Sequence, residues 1–192
     1  MKNEFVIHAP DTAPAAARPI LESIGSAWGF VPNLHKVLAE SPAALEAYAA
    51  LWSLAEKTSF TPVERNIAYL AIIFENGCEY CMAGHSGLSR MAGVGQEHID
   101  AVRADRPIGE PRLQALRAFA AKVTRNRGLV SEAEVAEFKG AGFTNQSVLD
   151  LLVLAATKLI SNYANHIAGT PNDAFMRGNE WTRPTSRDVA AA

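Results

Sequence analysis

The chain has 192 residues, of which 48% are apolar and 20% charged. That composition is ordinary for a single globular domain and excludes disorder over most of the length. Lys plus Arg number 18 against 20 Asp plus Glu, a net charge of −2, which gives no basic footprint for nucleic acid.

Residues 1–13 read as an arm, with Lys2 and Glu4 but no long apolar run. No secretory signal is expected from them, so the expected location is the cytoplasm. No run approaches the roughly 18 apolar residues of a membrane span, and no membrane partner is expected. Ser41-Pro42 reads as a helix start, with Ser41 as N-cap and the proline in the first helical position. Leu45, Tyr48, Leu51, Trp52 and Ala55 then recur at helical spacing. Thr61-Pro62-Val63-Glu64 combines an N-cap, a proline and a capping-box glutamate. Ile67, Leu70, Ala71 and Phe74 follow on one face, and Gly77 closes the segment.

Residues 104–111 read as a surface connection. Leu113, Leu116, Ala120 and Val123 form the next stripe, and Ser131-x-x-Glu134 is a second capping box with Gly140 as stop. Residues 146–168 are apolar nearly all round, which predicts a central buried helix. Thr170-Pro171 reads as one more start. Phe5 to Ile7 is the one short extended candidate. The prediction is an all-α domain of roughly eight helices over residues 14–182, followed by a tail at 183–192.

Only two cysteines are present, Cys78 and Cys81. A pair three residues apart is a redox or metal signature. A helix from about Cys78 to Ala92, stopped by Gly93, places Cys78, Cys81 and His85 on one face over two turns. The thiols then sit at a helix N-terminus, which favours thiolate, with an imidazole one turn further on for proton transfer. A thiolate, a resolving thiol and a proton relay are the parts of a thiol peroxidase or disulfide reductase. The same pair also reads as a zinc half-site, with His85 as third ligand and His98 or His166 as fourth, or as two inert core cysteines. Structural zinc prefers ligands from two separate elements, so no metal is expected. A c-type haem needs histidine directly after the second cysteine, where Met82 stands.

Cys78, Tyr80, Cys81 and His85 resemble the Cys-x-x-Cys-x-x-x-His signature of the AhpD-like superfamily, also called the carboxymuconolactone decarboxylase family. Thr61 to Arg65 resembles that family's lead-in helix start. Residues 29–56, from Gly-Phe-Val-Pro-Asn-Leu through Ser41-Pro42, resemble its peroxidase-related branch, as does Asn162-Tyr163-x-Asn165-His166. The resemblance implies an AhpD-like all-α fold and a homo-oligomer (dimer, trimer or hexamer). It implies that Cys81 attacks peroxide, Cys78 resolves and His85 relays protons. Spacing alone leaves the two cysteine roles open.

One position departs from the pattern. The family has a relay glutamate twelve residues before the first cysteine, and here that residue is Asn66. Glu75, three residues before Cys78, is the candidate replacement; the simpler reading is that it caps the cysteine helix. His166 reads as a site or subunit-contact residue, or as a satisfied buried histidine. Trp28, Trp52 and Trp181 read as core or interface residues rather than a ligand box.

The expected function is a thiol-dependent peroxidase taking a hydroperoxide, with an external dithiol or lipoyl-like protein as reductant. No cofactor is expected, since no glycine-rich dinucleotide loop is present. The alternatives are a carboxymuconolactone decarboxylase-type lyase and a non-enzymatic Cys-x-x-Cys redox sensor.

Overall fold

The computed structural model describes residues 5–184. Among them are nine α-helices: α1 (Arg18–Trp28), α2 (Asn33–Leu38), α3 (Pro42–Ala55), α4 (Pro62–Asn76), α5 (Glu79–Met91), α6 (Gln96–Arg103), α7 (Pro111–Arg125), α8 (Glu132–Gly140) and α9 (Asn145–Ala168). A 3-10 turn at Ala174–Met176 follows, and the described residues contain no strand. Phe5 to Ile7 is irregular and exposed, not paired. The tail expected at 183–192 lies outside the described residues from 185 onward.

The helix starts follow the local chemistry. Ser41 Oγ accepts from the Ala44 N–H at 3.3 Å. Thr61 and Glu64 close a reciprocal capping box, as do Ser131 and Glu134. Each box satisfies two backbone donors that a helix end otherwise leaves unpaired. The expected start at Thr170-Pro171 does not form. The Asp173 carboxylate there is used by another helix: it accepts from the Asn33 N–H at the start of α2.

The central element is α4. Every residue from Glu64 to Phe74 is buried, and α5, α6, α7 and α9 all pack on it. The turn into α5 needs a left-handed residue, which Gly77 supplies at φ 68°, ψ 30°. It lets Cys78 act as the N-cap residue of α5 directly against the end of α4.

The long helix α9 differs from the expectation of a helix buried all round. Its inner face carries Thr157, Lys158, Ser161, Asn162 and Asn165, all buried. Its outer face carries Leu149, Leu152, Leu159 and Tyr163, all exposed. The polarity is inverted because the inner face borders the site described below. By length and composition α9 also qualifies as a membrane span, which the sequence reading missed. It packs instead along α2, α3, α4 and α5, with its one lysine turned inward.

Residues 169–184 run back across α2 and α5. The Tyr80 hydroxyl donates to Asp173 and accepts from the Leu34 N–H at 3.1 Å, joining α5, α2 and this segment. Met176 lies against α5 at Gly84, where a Cβ would stand 3.0 Å from its Cε. Removing the hydroxyl leaves the buried Leu34 N–H and Asp173 short of a partner. The Tyr80→Phe protein is therefore expected to lose about 1–3 kcal/mol, read as a lower urea midpoint at unchanged slope.

Candidate active site

Both cysteines are free thiols and both are buried, Cys78 to 1% exposure and Cys81 to 3%. Cys78 precedes the first turn of α5 and Cys81 lies within it, so the two sulfurs share the helix N-terminus. The Cys78 thiol is directed at Cys81. From the facing helix, Asn165 Nδ2 donates to Cys81 Sγ at 3.2 Å. Asn162 is oriented by Asn76, whose Nδ2 donates to its Oδ1 at 2.8 Å. Lys158, Asn162 and Asn165 are spaced four and three residues apart, so α9 presents all three to α5.

Lys158 is 1% exposed, and its Nζ lies 2.8 Å from His85 Nε2. It also sits over the rings of Tyr69 at 4.7 Å and Trp52 at 5.4 Å. Trp52 and Tyr69 are stacked, 5.9 Å apart and 3° from parallel, and both rings lie near His85. No carboxylate pairs with Lys158 among the described residues.

The charges that this arrangement favours are unequal. Burial opposes ionisation of Cys81. The Cys78 hydrogen bond, the Lys158 ammonium and the two asparagine amides outweigh it and bring the thiol below its ordinary value, to about 6. Cys78 moves the opposite way, because its proton is shared with Cys81 and burial adds to the effect. Burial, then the nearby Lys158 charge, pushes His85 well down, so its imidazole is neutral. Burial brings Lys158 itself down to about 8, against the pull of the two thiols. His35 is lowered to about 4 by burial and then Lys158.

A narrow cleft opens onto Cys81, His85 and Lys158. Its walls are mostly aromatic and apolar, including Trp28, Tyr48, Trp52 and Phe175. Trp28 and Trp52, read from sequence as core or interface residues, are thus cleft walls; Trp181 is core, packed on Phe74.

The structure brings Cys78, Cys81 and His85 together but leaves Glu75 elsewhere. The Glu75 carboxylate pairs with Arg125 at 2.6 Å and lies 3.9 Å from Arg183, on the side of α4 that faces α7. Neither a thiol nor His85 is among its partners, so the relay role expected of it has no geometric support. Asn66 is turned away as well, donating to the Pro62 carbonyl and accepting from Ser89. His166 is exposed on the outer face of α9. Among the described residues no three His, Cys, Asp or Glu side chains converge to hold a metal, and His85 Nε2 is engaged by Lys158. Sequence reasoning missed Lys158 altogether. The available signal was a single lysine in an apolar helix, at helical spacing from Asn162 and Asn165.

The sequence pattern of the carboxymuconolactone decarboxylase family matches residues 42–122, from α3 into α7. A solved structure described as an alkylhydroperoxidase AhpD core, a peroxidase-related protein from Ralstonia eutropha JMP134, superposes with a TM-score of 0.79. It is 26% identical, over 92% of this chain and 95% of that one. By this pattern and by its fold the chain is similar to the carboxymuconolactone decarboxylase superfamily and to AhpD-like, peroxidase-related proteins. A second peroxidase-related protein, from Silicibacter sp. TM1040, has a TM-score of 0.77 at 20% identity, over 93% and 94% of the two chains. The same fold occurs in a cysteine-to-alanine variant of the debrominase Bmp8 in complex with 2,3,4-tribromopyrrole. That structure has a TM-score of 0.75 at 16% identity, over 93% and 96% of the chains. No curated protein sequence matches significantly. In this chain an α9 lysine and two asparagines face the cysteine pair.

The unequal thiols give a direct test. Reaction with iodoacetamide at pH 7 is expected to label Cys81 before Cys78, with labelling rising through about pH 6 as the thiolate forms. The Asn165→Leu protein is expected to shift that rise to higher pH, because the amide hydrogen bond favours only the charged form. Peptide mass spectrometry after timed quenching reads both.

Proposed function

We propose that the protein is a thiol-dependent peroxidase that reduces hydroperoxides through a Cys81/Cys78 dithiol–disulfide cycle. One observation carries this reading: two free thiols share the N-terminus of α5, and Cys81, which accepts from Asn165 at 3.2 Å, lines an apolar cleft. The thiolate attacks the peroxide O–O bond. The S–O bond forms, the O–O bond breaks, and the departing oxygen takes a proton from the His85 relay. Cys81 is then a sulfenic acid. Cys78 attacks its sulfur, a disulfide forms, and the hydroxyl leaves as water with the Cys78 proton. An external dithiol, a small carrier or a lipoyl-like group on another protein, restores both thiols by exchange. The likeness to the peroxidase-related proteins supports the same chemistry.

The working unit we propose is a homo-oligomer. The exposed Leu149, Leu152, Leu159 and Tyr163 of α9 support it, since apolar rows of this kind mark interaction surfaces.

A second reading is reductive dehalogenation of a small haloaromatic by the same pair. The aromatic cleft walls favour it, and the debrominase structure holds a tribrominated pyrrole. Two thiols and an aryl bromide would give the disulfide, the arene and hydrogen bromide, which balances without another reductant.

The deciding experiment supplies dithiothreitol and either cumene hydroperoxide or a bromophenol, and follows peroxide loss and bromide release. Peroxide turnover is expected in the wild type. It should vanish in Cys81→Ser, and in Cys78→Ser assayed without dithiothreitol it should stop after one turnover, with a sulfenic acid trapped by dimedone. Normal peroxide turnover in Cys81→Ser overturns the proposal. Lactone-acid decarboxylation that survives loss of both cysteines would install the lyase alternative. A disulfide that changes assembly without turnover would install the redox sensor.

A further inference from the structure

A lysine ammonium buried in protein ordinarily has a carboxylate beside it, because an unpaired charge loses its hydration without compensation. Lys158 has none among the described residues. The titratable groups bordering it are His35 from α2, Tyr48 from α3, Tyr69 from α4, and Cys78, Cys81 and His85 from α5. The inner face of α9 around it adds only Thr157, Ser161, Asn162 and Asn165. The sole groups that can carry a negative charge near neutral pH are therefore the two thiols, and Cys81 is the one whose hydrogen bonds suit an anion.

The second observation is the imidazole between Lys158 and the cleft. His85 Nε2 faces the Lys158 ammonium and so accepts from it, which places the ring proton on Nδ1. Nδ1 is buried with no protein partner, and His85 lines the cleft beside Cys81. A buried ring N–H without an acceptor costs free energy, and it costs nothing once a substrate oxygen takes the bond.

We propose that Lys158 is the resident counter-ion of the Cys81 thiolate and the proton source for peroxide cleavage, acting through His85. This rests on the thiol-peroxidase reading and assigns Lys158 as a positioning residue for it. As the thiolate attacks and the O–O bond breaks, the alkoxide takes the proton of His85 Nδ1. Nε2 gains a proton from the Lys158 ammonium, which becomes an amine, and the ring is left as its other neutral tautomer. No net charge is left behind: one thiolate and one ammonium have become a sulfenic acid and an amine. When the external dithiol later reduces the disulfide, one of its protons stays on Cys78. The other enters at His85 Nδ1 while Nε2 returns its proton to Lys158, as Cys81 is released as thiolate.

The test uses the full chain and begins without peroxide. The iodoacetamide labelling of Cys81 against pH is measured in wild type, Lys158→Met and Lys158→Arg. The methionine variant keeps the volume of the side chain and removes its charge. Its labelling midpoint is expected to rise by about one pH unit or more, while the arginine variant stays near wild type. Single-turnover cleavage of cumene hydroperoxide, measured above the labelling midpoint of each protein, is expected to fall by about a hundredfold in both. The arginine keeps the charge but does not release a proton near neutral pH. An unchanged midpoint in the folded methionine variant overturns the pairing.

If Lys158→Met does not fold, the reciprocal coupling decides. The titration of Lys158, followed by NMR of the 13C-dimethylated side chain, is expected to move to lower pH in Cys81→Ala. Identical titrations in both proteins overturn the proposal. Labelling shifts without any peroxide consumption would keep the Lys158–Cys81 pair, overturn its part in peroxide cleavage, and reject the peroxidase reading.

Discussion

A primary ammonium group at 1% exposure, with no carboxylate to meet it among the described residues, sets the terms for everything around it. Withdrawing such a charge from water is costly, and the protein offers three partial compensations: the His85 lone pair at 2.8 Å, the faces of Tyr69 and Trp52, and the nearby thiols. The first two are neutral and stabilise an ammonium only in part. The third is ionisable, so the buried cation and the Cys81 thiolate lower each other's energy. The arrangement explains why α9 is built with its polar side inward. Lys158, Asn162 and Asn165 all face α5, Asn165 donating to the Cys81 sulfur and Lys158 meeting His85, and the helical repeat carries them on one face.

The cysteine pair gains its asymmetry from position rather than identity. Cys78 is the residue at which α4 has ended and α5 has not yet begun, and Gly77 makes that abrupt junction possible. Cys81 lies inside the first turn, under Asn165 and beside the lysine. Cys78 is directed at Cys81, and Cys81 accepts from Asn165 near the Lys158 charge, so their acidities separate. Separated acidities suit a cycle in which one sulfur must be anionic first and the other must hold its proton until the hydroxyl leaves.

The segment after α9 completes the site. Asp173 is used twice, once for the exposed N–H at the start of α2 and once for Tyr80 on α5. Those bonds fix Phe175 and Met176 over the cleft, with Gly84 leaving room for the methionine. Tyr80 sits next to Cys81 in sequence, so the bond that holds this cover is one residue from the reactive sulfur. The aromatic lining surrounds Cys81 and Lys158 with apolar side chains, a setting of low local dielectric in which charges attract more strongly than in water.

Much of the fold was legible before any coordinates. Ser41-Pro42, Thr61-Pro62-Val63-Glu64 and Ser131-x-x-Glu134 specify helix starts because caps act within four residues, and all three form as read. The Cys78, Cys81 and His85 cluster was legible for the same reason, since one helix carries it. The start read at Thr170-Pro171 does not form; the nearby Asp173 carboxylate instead accepts from Asn33, 140 residues away in sequence. Glu75 failed because helical periodicity says which residues share a face and not which neighbour that face will meet; here it met Arg125 on α7. Lys158 stayed hidden for the deepest reason. Its partner lies 73 residues away, and only the packing of α9 against α5 decides that a lone lysine in an apolar stretch turns inward. The sequence by itself determined the helices and the thiol pair, because those depend on neighbours in the chain. The tertiary structure alone decided which charges face the sulfur, because that depends on which helices pack together.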